Sequence, residues 1–118
     1  MNIVILSSQA EPENAAFQLA NQYQWNNYYA YSRNAGAYKI ATEMRKYGHN
    51  VEVLDFVVYW PEAALKKYFE ERADQIDVVA WSSQFFFRHS FYKKYCNFIK
   101  NLNPNISHFI PKRPNIYP

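Results

Sequence analysis

The residues best suited to chemistry in this chain occur twice in the same order. Ser7-Ser8-Gln9 directly follows the apolar run Ile3-Val4-Ile5-Leu6, and Ser82-Ser83-Gln84 directly follows Val78-Val79-Ala80-Trp81. Serine hydroxyls donate and accept hydrogen bonds, and glutamine amides do both through separate atoms. Grouped at the carboxyl end of a strand, beside a helix start, they could bind a phosphate or an amide-rich ligand. The same residue types also cap segments and satisfy turn backbone, so both readings stand at this point. A second constellation is aromatic: Tyr23, Trp25, Tyr28, Tyr29 and Tyr31. These rings would line a lip near the end of the first strand, fit for a flat ligand or a protein surface. Alternatively they pin a long loop to the domain.

Other chemistries fail on specific residues. With Gly36 and Gly48 the only glycines, the dinucleotide fingerprint G-x-G-x-x-G is impossible. A receiver domain needs an aspartate where Ser82 stands, and Glu11 and Pro12 interrupt any flavodoxin-type phosphate loop after the first strand. His49, His89 and His108 lack metal-ligand spacing, and no carboxylates pair. Cys96, the single cysteine, excludes an internal disulfide and has no base to activate it. Enzymatic activity finds no support.

The bulk properties bound the rest. At 118 residues and 14.1 kDa the chain is at most one domain. Its 49% hydrophobic and 19% aromatic content is enough for a core, and the surplus rings are either surface for a ligand or partner or a Tyr-rich composition bias. A net charge of +3, scattered along the chain, argues against a nucleic-acid surface. The apolar run before Ser7 is too short for a signal peptide or a membrane span, so a cytoplasmic protein is expected, with no membrane partner.

The elements that must position these residues follow from spacing. Ala37, Ile40, Ala41, Met44 and Tyr47 recur at i, i+3, i+4, i+7 and predict a helix with one apolar face. Ser32 or Asn34 caps its start, and Gly48 ends it in the left-handed C′ conformation. Residues 51–56 predict a strand with Asp55 near its carboxyl end. Pro61 opens a second helix to about residue 74, with Glu62 in its first turn. Leu65, Tyr68, Phe69 and Arg72 or Ala73 make its inner stripe. Residues 77–82 predict a strand covered on both faces. Residues 86–102 predict a third helix, stopped by Pro104, and residues 106–110 a short fourth strand. The connection from Ser7 to Asn34 holds a short helix near residues 12–20. This alternation calls for a parallel α/β sheet with right-handed crossovers. Residues 1–110 form the domain, and residues 111–118 an extended, proline-rich tail.

The stretch Gly36-Ala37-Tyr38-Lys39-Ile40-Ala41-Thr42-Glu43-Met44-Arg45-Lys46-Tyr47-Gly48-His49-Asn50-Val51-Glu52-Val53-Leu54-Asp55 resembles the N-terminal cobalamin-binding-type domain of radical-SAM enzymes. That family carries Ala-x-x-Leu-Arg-x-x-Gly-His-x-Val-x-Val-x-Asp. Ala41, Met44, Arg45, Gly48, His49, Val51, Val53 and Asp55 occupy its positions, with Met for Leu. Asp77-Val78-Val79-Ala80-Trp81-Ser82 is similar to the family's third strand, which usually ends in Ser. The likeness spans about residues 1–106.

The resemblance implies a flavodoxin-like, Rossmann-like sheet of order 2-1-3-4 with helices on both faces. Its switch point lies between the first and third strands. There Ser7, Ser8, Gln9, Ser82, Ser83 and Gln84 would contact cobalamin, whose corrin ring is rimmed with amides and carries a nucleotide tail. The Asp-x-His-x-x-Gly motif of cobalamin mutases is absent, as is the Cys-x-x-x-Cys-x-x-Cys that would hold an iron–sulfur cluster. The chain is therefore expected to be non-catalytic by itself. Family members continue from Asn-Pro-Asn-Ile, here Asn103-Pro104-Asn105-Ile106, into an apolar strand ending in a glycine pair. Here Ser107-His108-Phe109-Ile110-Pro111 follows, with no glycine. A stand-alone, naturally short domain or a truncated one is expected, in either case lacking the fifth strand and with an exposed edge at the fourth. Self-association or a larger protein partner would cover that edge. The second functional reading is a small protein-interaction module, of a viral or accessory protein. It would dock through Tyr23, Trp25, Tyr28, Tyr29, Tyr31 and the open edge.

Overall fold

Short apolar runs pair side by side in parallel when the chain between them is long enough to cross over. The computed structural model describes residues 1–7, 35–82 and 89–109. Strands β1 (Asn2–Leu6), β2 (Asn50–Leu54), β3 (Val78–Trp81) and β4 (Ser107–Phe109) form one sheet in the order 2-1-3-4, every pair parallel. Helices α1 (Ala35–Lys46), α2 (Glu62–Arg72) and α3 (His89–Leu102) connect them. Single 3-10 turns at Val57–Tyr59 and Ala73–Gln75 flank α2. The sheet order is the one the family resemblance implies.

The strands alternate their side chains between two cores. Val4, Leu6, Leu54, Val79 and Trp81 pack with Leu65, Phe69 and Ala73 near α2 and with Tyr92, Tyr95 and Ile99 of α3. On the opposite face Ile3, Ile5 and Val51 pack against Ala37 and Ala41 of α1. Burial on both faces explains why β1 reads as an unbroken apolar run. The two alanines leave room for α1 to lie close to the sheet.

The apolar face of α1 is narrower than its spacing predicts. Ala37 and Ala41 are buried and Met44 half-buried, but Ile40 is 56% and Tyr47 80% exposed. The smaller core is filled by the stripe i, i+4, i+7, which leaves Ile40 on the rim. Tyr47 lies beyond the helix, in the turn that ends it. There His49 N–H reaches the Met44 carbonyl at 3.3 Å and Gly48 N–H the Arg45 carbonyl at 3.1 Å. With Gly48 at φ +88°, this is the expected glycine stop.

Pro61 stands just before α2 rather than in its first turn, at φ −55° and ψ 137°. Its carbonyl accepts from Ala64 at 3.0 Å and Leu65 at 3.2 Å, so it acts through its oxygen as the N-cap. Leu65, Phe69 and Ala73 form the buried stripe, and Tyr68 and Arg72 flank it half-buried. The caps at Ser32 or Asn34, the helix near residues 12–20 and the tail 111–118 lie outside the described residues. Among the described residues, no helix is long and apolar enough to cross a membrane.

Candidate functional site at the carboxyl edge of the sheet

Parallel strands present their carboxyl ends together, and connections leaving neighbouring strands meet there. The Ser82 amide donates to the Leu6 carbonyl at 2.9 Å, just past the last register pair Leu6↔Trp81. The beginnings of both Ser-Ser-Gln stretches thus leave adjacent strands side by side. Ser7 is fully buried and Ser82 half-buried. Ser8, Gln9, Ser83 and Gln84 lie outside the described residues, as do Tyr23, Trp25, Tyr28, Tyr29 and Tyr31.

Ser7 is tied in through its backbone and loose at its side chain. Its N–H donates to the Leu54 carbonyl at 2.9 Å, and its carbonyl accepts from Val57 N–H at 3.2 Å. Its hydroxyl, 0% exposed, finds no hydrogen-bond partner among the described residues. A buried polar atom without a partner carries a desolvation cost of about 1–3 kcal/mol. By strand alternation Ser7 follows Ile3 and Ile5 onto the α1 face of the sheet.

Asp55 is the next position on the neighbouring strand, past the register pair Leu6↔Leu54. One carboxylate oxygen accepts from the Phe56 amide at 2.9 Å, and the Asp55 carbonyl accepts from the Trp60 indole at 3.0 Å. The other carboxylate oxygen, Oδ2, is buried and has no partner among the described residues. Phe56, directly after it, is the one non-glycine residue at positive φ among the described residues, at φ 56° and ψ 33°. Such a conformation costs a bulky side chain about 1 kcal/mol or more, and it gathers at functional edges. Here it turns the chain sharply into the 3-10 turn, so that Tyr59 N–H closes on the Phe56 carbonyl at 2.9 Å.

Two unpartnered buried acceptors therefore sit at adjacent strand ends, Oγ of Ser7 and Oδ2 of Asp55. A carboxylate oxygen can only accept, so the group that completes this pair must bring N–H or O–H donors. On the opposite face of the sheet, Trp81 stands edge-on to Tyr92 at 5.2 Å and to Phe91 at 6.0 Å between centroids, within the larger core.

The sequence pattern pointed to Ser7 and Ser82 but not to Asp55 as a site residue. Its signal was present: an acid closing a strand of Val51, Val53 and Leu54, where a buried charge needs a reason. Cys96 lies half-buried in α3 with its thiol pushed up by burial, as suits a structural residue rather than a nucleophile. Among the described residues, no group of three His, Cys, Asp or Glu could hold a metal ion. Comparison with protein-family models, with curated proteins and with solved structures gave no match to this chain.

Proposed function

We propose that this chain is a ligand-binding domain of the cobalamin-binding type, non-catalytic by itself, that receives a corrinoid at the carboxyl edge of β1 and β3. The observation that supports this most is the 2.9 Å bond from the Ser82 amide to the Leu6 carbonyl, which sets the two Ser-Ser-Gln stretches leaving one switch point. Strand order 2-1-3-4 puts the switch point between β1 and β3, where ligands of open parallel sheets commonly bind. The unpartnered acceptors of Ser7 and Asp55 suit the amide N–H groups of a corrin rim. Ser82, with Ser8, Gln9, Ser83 and Gln84, would hold further rim amides or the nucleotide phosphate. A bound corrinoid would supply a cobalt centre to a partner's reaction, while this chain's residues bind and orient it. A reducing cytoplasm suits the single cysteine.

A protein-interaction module is the second reading. The exposed ring of Phe109 on the edge strand β4, 66% accessible, favours it. Titration with hydroxocobalamin separates the two. A shift of the visible absorbance bands, with stoichiometric retention of the corrinoid on gel filtration, is expected. An unchanged spectrum with free elution of the corrinoid would overturn the first reading and leave the second.

A further inference from the structure

His108 stands where an imidazole is hard to charge. It occupies the middle of β4, beside Val79 in the register, and so faces α3. Both of its ring nitrogens are buried, and neither has a hydrogen-bond partner among the described residues. A neutral imidazole in such a place leaves one donor and one acceptor unmade. An imidazolium has two N–H donors and a charge, and burying these without an acceptor or a counter-ion costs far more.

The groups around the ring offer a proton no compensation. From α3 the charge that acts on it is the Lys100 ammonium, of the same sign as an imidazolium. Cys96, one turn earlier on that helix, and Tyr95 are both pushed up by burial and stay neutral. The four residues of β3 carry no titratable group, and neither does the turn from Asn103 to Ile106. Asp77, just before β3, is committed to β1, where its carboxylate accepts from the Asn2 amide at 2.8 Å. Glu62 of α2 is held by Lys94 and Lys66.

The strand that carries this ring is also the one that yields most readily. It has three residues and pairs with β3 alone, at the end of the sheet. The Ser107 amide holds it through a 3.0 Å bond to the Asp77 carbonyl. Ser107 and Phe109 are already exposed, so freeing them uncovers little apolar surface. Ile106, buried just before the strand, anchors the chain there. We propose that β4 is a pH-released strand: a proton taken up by His108 frees Ser107–Phe109 from β3, while β2, β1 and β3 remain paired. In the freed segment the imidazolium reaches water, which satisfies both of its N–H groups.

Burial holds the His108 pKa below its ordinary value of 6.5, and Lys100 adds to this. The released strand binds the proton more tightly than the paired one. Pairing is therefore fully stable at neutral pH and loses stability as pH falls below 6.5 toward the lowered value. Opening takes up one proton, so across that window the open fraction rises by up to about tenfold per pH unit. The sheet then has a four-strand form at neutral pH and a three-strand form in acid.

The test is NMR of the full chain between about pH 7.5 and about pH 5, free of corrinoid, so its outcome is independent of the ligand reading. The His108 ring should titrate with a midpoint below 6.5, and Lys100→Met should move that midpoint upward. Amide exchange, corrected for its intrinsic pH dependence, should show Ser107 losing protection by up to about tenfold per pH unit. Val4, in the central strand β1, should keep its protection. His108→Phe should make the Ser107 protection indifferent to pH. In the unmodified chain, a ring midpoint at or above 6.5, a Ser107 protection that ignores pH, or an equal loss at Val4 would each overturn the release. These readings stand whether or not His108→Phe folds, and a pH dependence that persists in that variant would overturn it as well.

Discussion

The Arg45 guanidinium donates a 2.7 Å hydrogen bond to the Val51 carbonyl, across the turn that joins α1 to β2. Arg45 is one of the positions that carry the resemblance to cobalamin-binding-type domains, and this bond gives it a physical task. It satisfies an outward carbonyl of the edge strand and sets a positive charge where another strand would add. This residue of the resembling motif is here an edge guard.

Replacing Arg45 by alanine therefore removes one charge-assisted hydrogen bond at a partly exposed site. A loss of about 1 kcal/mol of stability is expected, since water takes over the carbonyl in part. Urea denaturation followed by circular dichroism measures it. The same variant should aggregate more readily on heating, because β2 is then an unguarded edge. Equal stability and equal aggregation would show that the bond guards nothing.

Glu62 opens α2 and meets two ammonium groups, Lys94 of α3 at 2.7 Å and Lys66 at 2.9 Å. The hydrogen bond from Lys94, then that from Lys66, holds its carboxyl well below the ordinary range, at about 2. A depressed pKa stabilises the fold above the unfolded value near 4.5, and that stabilisation is lost as pH falls toward 2. NMR titration should place the Glu62 midpoint far below that of an ordinary glutamate. Lys94→Met should move the midpoint upward, and because the pair is exposed, added salt should do the same. A midpoint near 4.5 in the unmodified chain would contradict the pairing.

Much of the fold was legible because its signals are local. The βα alternation, the stop at Gly48 and the buried run Ile3-Val4-Ile5-Leu6 each follow from spacing and backbone chemistry within a few residues. The width of the α1 face was not legible in this way. Ile40 has the right period for the core, but which periodic residues are buried depends on where the sheet ends beneath them. Pro61 was placed one step too far into its helix, since proline's fixed φ suits both the cap and the first turn. The site was half legible: strand order placed Ser7 and Ser82 at one edge. Asp55 stood at its strand end in the sequence, but that its second carboxylate oxygen is buried without a partner among the described residues is a property of the packed edge.

Gly48 offers a clean test of backbone conformation. Its φ of +88° is one that a side-chain-bearing residue rarely adopts, yet an added Cβ would meet nothing within 4 Å. Gly48→Ala should therefore cost only the left-handed strain, about 1 kcal/mol, with no steric addition. Gly48→Asn should cost less, because asparagine tolerates this conformation better. Denaturant midpoints for the two variants give the order directly. A larger loss for asparagine than for alanine would show that something other than φ governs the turn.

Ser7→Ala separates a binding role from a structural one. The hydroxyl is fully buried and has no partner among the described residues, so its removal deletes a desolvated polar atom and breaks no described side-chain bond. The backbone bonds to Leu54 and from Val57 do not depend on it. Stability should therefore stay equal or rise by up to about 1 kcal/mol, against the usual direction for a buried substitution. Corrinoid affinity, if the Ser7 oxygen accepts a rim amide, should fall by about twofold to tenfold, the value of one hydrogen bond. A gain in stability with a loss in affinity marks a residue kept for its ligand at the expense of the fold. A loss of stability would mean that the hydroxyl has a structural partner after all, and equal affinity would remove Ser7 from the site.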